Sequence, residues 1–445
     1  MTQDRIPRKI DSSWRHIWHL SWPIMISNLS QPLVTAADTA MMGHFDDASY
    51  IGGVALGSLI IHFLVMLFSF LRMGTTALTS QAHGAGNQRA VLLPLQRGLV
   101  IGAGAGMVLI ATLPLLIATA SLILPASQAV EHHMADYISV QIFGLPAILM
   151  NAALLGWLYG QQSMRLGMIQ LLLVNGLNIG LNFLFVLGFD GGIKGVALAS
   201  VVANWLGFLF VVMMIKRQFS RQLAGFFALG SALRGSGWSA YFSLSRDIVI
   251  RTFLLYLVEA TLLYFGGDEG DVQLASLQIV LVIFHLVAFA LDGFAHASEA
   301  LVGGAIGSGS KDTLTQTIWR STAMAGFVSV LIAMLLIVSA PYLLAILTSY
   351  DDVIAQTMAL WWYVVCLGPA SVLAFQMDGI FIGAAHGRAL RNGMILSFTS
   401  FVGCLLLLRD WGLDGVMLAF IIYLIVRGLS LAIRLRHLYD FPAKA

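Results

Sequence analysis

The chain has 445 residues, of which 58% are hydrophobic and 10% charged, with a net charge of +2 and a mean hydropathy of +0.85. Soluble domains carry about 25% charged residues, so soluble globular classes are excluded and a polytopic membrane protein is expected. No basic cluster resembles a nucleic-acid-binding patch, and the two cysteines, Cys366 and Cys404, sit in apolar segments outside any CxxC or Cys/His metal pattern.

The opening segment, "MTQDRIPRKIDSSWRH", is polar and basic, and no small-residue cleavage site follows a short apolar core. The first helix therefore reads as an uncleaved anchor. A helix needs about 20 apolar residues to cross a bilayer. On that measure twelve spans follow, near 17–43, 51–80, 91–121, 134–160, 165–188, 193–216, 240–266, 273–300, 313–347, 354–383, 389–409 and 413–437. The domain organisation is a cytoplasmic segment at 1–16, a first lobe of six spans at 17–216, a basic linker at 217–239, a second lobe at 240–437 and a tail at 438–445.

With the N-terminus inside, every Lys and Arg except Lys194 and Arg409 falls in cytoplasmic segments or at the helix ends bordering them. The outer loops collect acids: Asp46, Asp47, Asp190, Asp268, Glu269, Asp271, Asp351, Asp352, Asp410 and Asp414. Lys/Arg asymmetry sets orientation, so both termini are expected in the cytoplasm.

The first span carries Asp38 near its outer end, after a run free of charged residues. An ionisable group at such a place suggests a functional site. Burial penalises the ionised form of a carboxyl, which would let this one take up and release a proton near neutral pH. Water at the helix end, or pairing with His44, is the plainer reading. Pro23, roughly 22 Å down the same helix at 1.5 Å per residue, cannot donate to the His19 carbonyl and predisposes the helix to bend.

In the fifth span Asn175, Asn178 and Asn182 form a polar stripe on one helical face. Such amides either serve a protonated Asp38, line a wet pocket or hold helices together. The second lobe adds Glu259 in the seventh span, Asp292 and Glu299 in the eighth, and Asp378 in the tenth, with His285 and His296 nearby. No HxxxH or HExxH spacing occurs, so no metal ligands are assigned. Internal pairing, titration or a polar cavity that holds a cation are the readings for these acids. The methionines and aromatic residues either line an adaptable pocket or pack between helices and against lipid.

The chain is written twice, with a period of 223 residues. "FGLPAILMNAALLGWLYG" at 143–160 matches "LGPASVLAFQMDGIFIG" at 367–383, "SQAHGAG" at 80–86 falls on "GGAIGSG" at 303–309, and "GIKGVALA" at 192–199 aligns with "GLDGVMLA" at 412–419. Glu259 falls near the repeat image of Asp38. Six intervening spans give the copies the same orientation. Two parallel six-helix bundles about a central cavity are the expected architecture, one suited to alternating access.

Pro23, "AADTAMMGH", "FLRMGTTALTSQAHGAG", the "GWLYG"/"GIFIG" pair and "NIGLN…GIKGVALAS" together resemble the multidrug and toxic compound extrusion (MATE) transporters, in their DinF-like bacterial branch. The resemblance covers essentially the whole chain and implies twelve helices in two parallel bundles. It also implies cation-coupled export of amphipathic, often cationic, drug-like compounds, with no cofactor, no enzymatic activity and a monomeric state in lipid. It puts the proton on Asp38, its partners at Asn178 and Asn182, and the helix bend at Pro23, with Tyr137 and Ser200 as cavity neighbours of Asn175. Two departures matter: Asn182 stands where many relatives have Asp, and Val34 where they have Tyr. A single acid with neutral partners favours H⁺ antiport, while the second-lobe acids keep Na⁺ coupling open. A lipid-linked oligosaccharide flippase is a further alternative and would want Arg or Lys within the cavity. A membrane-embedded enzyme would want a local His/Asp or Ser/His pair, and none stands out.

Overall fold

A computed structural model describes residues 7–42, 47, 49–219 and 238–440, and no strand occurs among them. His44, Asp46 and all but the ends of the expected linker lie outside the described residues, as does the far end of the tail. The helices are α1 (Trp14–Met42), α2 (Ser49–Leu67), α3 (Phe70–Gly84), α4 (Gln88–Ala111), α5 (Leu113–Ile123), α6 (Gln128–Gln141), α7 (Leu145–Gly160), α8 (Met164–Asn182) and α9 (Gly192–Gln218). They continue with α10 (Trp238–Asp268), α11 (Asp271–Ser308), α12 (Lys311–Leu347), α13 (Asp351–Ala359), α14 (Trp361–Gly383), α15 (Gly387–Leu407) and α16 (Gly412–Ala432).

Local chemistry sets the ends. Ser13 Oγ accepts from the His16 amide to start α1, Asn87 Oδ1 caps α4 through Ala90, and Ser310 Oγ caps α12 through Thr313. Asp11 accepts the Ser13 amide at 2.8 Å, which holds its carboxyl below the usual aspartate range. Among the described residues eleven stretches are long and apolar enough to cross a membrane, and the less apolar α1 runs as one 29-residue helix.

Four expected spans prove to be broken; 134–160 is parted into α6 and α7 by the 3-10 turn Ile142–Gly144. The run 51–80 is divided between α2 and α3, because at Phe68 and Ser69 the amides bond three residues back, to Val65 and Met66, tightening the turn. The run 91–121 breaks at Thr112, whose hydroxyl takes the Val108 carbonyl, and Pro114 then opens α5, where a missing N–H costs nothing. The run 354–383 becomes α13 and α14, parted at Leu360. The fifth span widens after Asn182 into a π-helical turn, Phe183–Gly188.

The chain divides into two compact units, one of Ile26–Thr79 with Asn87–Trp238, the other of Met1–Met25, Ser80–Gly86 and Ser239–Ala445. The division therefore passes through α1 just after Pro23, and through α3, rather than only at a linker. In the first unit α2 packs on α6, α4 on α7, and α8 on α9; in the second α11 packs on α12 and α14, and α16 on α14 and α15.

The written repeat is realised in the backbone. Gly156 approaches the Arg72 carbonyl and Gly379 the Ala295 carbonyl so closely that a Cβ would sit 2.3 and 2.2 Å from the oxygen; Gly160 and Gly383 repeat the arrangement at Thr76 and Glu299. Gly86 and Gly309 take the same left-handed conformation, with φ of 68° and 76°. Within the second unit, a Cβ at Gly84 would lie 2.0 Å from Gly304 O, and one at Gly307 would lie 2.0 Å from Gln81 O. At the 223-residue offset each contact is the image of the other. The two copies of the motif therefore meet as an isologous pair.

Polar and apolar surfaces are exchanged relative to a soluble protein. Asn182, Gln376 and Glu299 are fully buried, whereas Leu407 is 84% exposed and Leu122 82%. An apolar exterior on this scale faces hydrocarbon.

Candidate functional site

In the unit that holds most of the N-terminal half, the C-terminal part of α1 brings Asp38 to α8. Asn182 Nδ2 donates to Asp38 Oδ1 at 2.5 Å and also reaches Asn178 Oδ1 at 3.3 Å. Asn178 Nδ2 donates onward to Ser200 Oγ on α9 at 2.7 Å. A single relay, Asp38–Asn182–Asn178–Ser200, thus crosses three helices. The i, i+4 spacing on α8 stacks the two amides one turn apart, and the π turn begins at the next residue.

Asn182 Oδ1 is buried and accepts no hydrogen bond among the described residues. An unfilled buried acceptor is costly, and it lies on the amide that already serves the Asp38 carboxylate. Asn175, a turn earlier, departs from the relay: it donates to Ser30 Oγ at 2.6 Å and accepts from Gln31 at 3.5 Å, so it fastens α8 to α1. Tyr137 is buried on α6 with its ring against Gly57 of α2.

Pro23 is buried in α1, which remains helical through it. In the second unit the adjoining turn packs on α11, where Gly293 leaves room for Met25 and the Ser21 carbonyl.

The four second-lobe acids do not form one cluster. Glu259 on α10 meets His285 on α11 at 3.0 Å, and Glu299, with a fully buried side chain, lies 3.5 Å from His296 Nδ1. Asp292 is half-buried on α11. Asp378 on α14 is buried between two arginines: Arg251 Nη2 donates to its Oδ2 at 2.6 Å, and Arg427 Nη2 of α16 donates to the same oxygen. Among the described residues no group of three or more His, Cys, Asp or Glu side chains is arranged to hold a metal ion. Sequence reasoning counted both Arg251 and Arg427 among the cations at or near cytoplasmic helix ends and gave neither a partner. An isolated cation in the apolar run "IIYLIVRGLSLA" was the available signal, since such residues seldom stand in a span without a partner.

A family model described as MatE matches residues 23–184 and 248–407. The DNA damage-inducible protein F of Escherichia coli is 34% identical over 426 residues, spanning 95% of this chain and 92% of its own. A probable multidrug resistance protein NorM of Thermotoga maritima is 25% identical over 75% of this chain and 72% of its own. Among solved structures, an outward-facing multidrug resistance MATE family transporter of the MOP superfamily superposes with a TM-score of 0.87 over 99% of this chain and 100% of its own, at 18% identity. Whole-length similarity to DNA damage-inducible protein F, two family-model matches and the shared helical fold lead to one assignment: the chain belongs to the MATE family of membrane transporters.

Proposed function

We propose that the chain is a secondary active exporter of amphipathic, often cationic, organic compounds, driven by protons entering through Asp38. The observation that carries this reading is the empty acceptor beside the carboxylate. Ionised, Asp38 takes an N–H from Asn182 and leaves Asn182 Oδ1 without a donor among the described residues. Protonated, Asp38 has an O–H to give, and the amide can turn its oxygen to receive it. That turn moves the Asn182 N–H groups away from Asp38 and disturbs Asn178 and Ser200 in sequence.

A proton thus becomes a change in which helices are tied together. α1 is the helix able to respond, because at Pro23 it lacks one rung of its hydrogen-bond ladder. In the cycle, ionised Asp38 holds the cavity open to substrate. Protonation from outside removes that charge, α1 bends near Pro23, and the substrate leaves outward. Any charge carried inward across the field draws on about 2.3 kcal/mol per 100 mV.

Three of the four second-lobe acids argue against Na⁺ as the driving ion. Asp378 already faces two guanidinium groups, and Glu259 and Glu299 each face a histidine. A Na⁺ ion would have to displace these partners.

The test is dye efflux from vesicles under an imposed pH gradient or, at clamped pH, an imposed Na⁺ gradient. Efflux should follow the pH gradient alone, and Asp38→Asn should abolish it in a folded protein. Wild-type efflux by Asp38→Asn would remove Asp38 from the mechanism, and efflux driven by Na⁺ at clamped pH would remove the proton.

A further inference from the structure

At the basic end of the second unit, between the start of α10 and the turn joining α14 to α15, lies a recess of about 360 Å³ lined by Ser243, Leu244, Asp247, His386, Gly387 and Arg388. That volume is within the roughly 300–1,000 Å³ of small-molecule sites. The turn is fixed by Ala385, which takes a left-handed φ of 58°, and α15 starts at Gly387 with no side chain capping its first amides. Uncapped amides at a helix start favour an anionic oxygen. Gly387 lets this helix end approach Asp247: a Cβ there would stand 3.0 Å from the Asp247 Cβ.

The charges around the recess do not balance. Asp247, with a side chain only 2% exposed, accepts Arg391 Nη1 at 2.7 Å and Arg246 Nη2 at 3.2 Å on the same oxygen. It anchors both guanidinium groups at the wall and neutralises one. Arg388 is exposed and has no ion-pair or hydrogen-bond partner among the described residues. Two guanidinium groups thus share one carboxylate, and Arg388 stands beside them unpaired among the described residues. Arg434 adds a fourth at the rim, donating to the Ala389 carbonyl at 3.2 Å. Phe242, beside the lining Ser243, is 55% exposed on the apolar exterior.

We infer that this recess binds the headgroup phosphate of an anionic glycerophospholipid of the inner leaflet, with Arg388 and the α15 amides on the phosphate and the acyl chains along the apolar face that includes Phe242. Basic pockets between helices on the cytoplasmic side are suited to such headgroups. A soluble phosphate ester would meet the same charges but would leave the apolar exterior beside the recess unused. The inference needs only the positive-inside orientation, and it stands or falls separately from the proton-coupled reading.

The experiment is native mass spectrometry of the detergent-solubilised full chain, titrated with phosphatidylglycerol, with phosphatidylcholine of the same acyl chains, or with glycerol 3-phosphate. Phosphatidylglycerol should be retained in preference to phosphatidylcholine. Arg388→Gln, which breaks no ion pair or hydrogen bond among the described residues, should lower its retention by about 5-fold, the value of one interfacial charge. Ser243→Glu, which puts a carboxylate into the recess, should lower it at least as much. Arg409→Gln, at the opposite end of the helices, should leave it unchanged. Equal retention by wild type and both recess variants would overturn the proposal, as would displacement of phosphatidylglycerol by an equal concentration of glycerol 3-phosphate.

Discussion

Replacing Asp378 with Asn should be the most damaging single change in the second unit. Its carboxylate is the shared counter-ion of Arg251 and Arg427, and the three side chains are only 6–8% exposed. These three side chains by themselves carry one positive charge in excess, with the Asp292 carboxylate acting on Arg427 from farther off. Asn removes the one carboxylate that both guanidinium groups contact and leaves them buried side by side, the case in which breaking a buried ion pair costs about 3–5 kcal/mol. Arg427→Met acts differently. It leaves a balanced Asp378–Arg251 pair and keeps an unbranched side chain over the Phe375 ring, which lies 5.6 Å from the guanidinium. Its cost should be about 1 kcal/mol or less, since one excess buried charge is removed. Changing all three together, Asp378→Leu with Arg251→Met and Arg427→Met, should bring stability back to within about 1 kcal/mol of wild type. Thermal unfolding in detergent, followed by tryptophan fluorescence, reads the series. At roughly 2–4 °C per kcal/mol for a body of this size, Asp378→Asn should lose on the order of 10 °C. A wild-type melting curve for Asp378→Asn, or an Arg427→Met loss as large as that of Asp378→Asn, would refute the charge accounting.

Gly307→Ala should destabilise by about 1–3 kcal/mol, as overpacking does, because its Cβ would meet Gln81 O at 2.0 Å. Gly104→Ala, with nothing within 4 Å, should be neutral or stabilising by melting temperature. Equal effects would show that the close approach between the repeat motifs carries no energy. Asn182→Asp should put a second carboxylate against Asp38, and two such groups cannot both ionise unless a cation joins them. Efflux at clamped pH should then acquire a response to Na⁺ that wild type lacks; an unchanged Na⁺ response would refute the claim that the neutral amide is what keeps metal cations out.

Hydropathy determined the membrane class, self-similarity the duplication, and the motifs around Pro23, Asp38 and Asn182 the family resemblance, because each is carried along the chain and needs no neighbour from elsewhere. The repeat glycines were legible for the same reason: a position that must have no side chain is written as Gly in both copies, as at Gly156 and Gly379. The Asn stripe was legible as a stripe, but its division was not. Only the packing of α1 and α9 on α8 sent Asn182 to Asp38, Asn178 to Ser200 and Asn175 to Ser30.

The tertiary structure alone decided what the second-lobe acids do. Asp378 meets arginines 127 and 49 residues away in sequence, and no local pattern encodes a partner at that distance. The interruptions at Phe68, Thr112, Ile142 and Leu360 were likewise hidden. Hydropathy reports whether a segment prefers lipid, whereas a helix breaks where one carbonyl or amide finds a different partner.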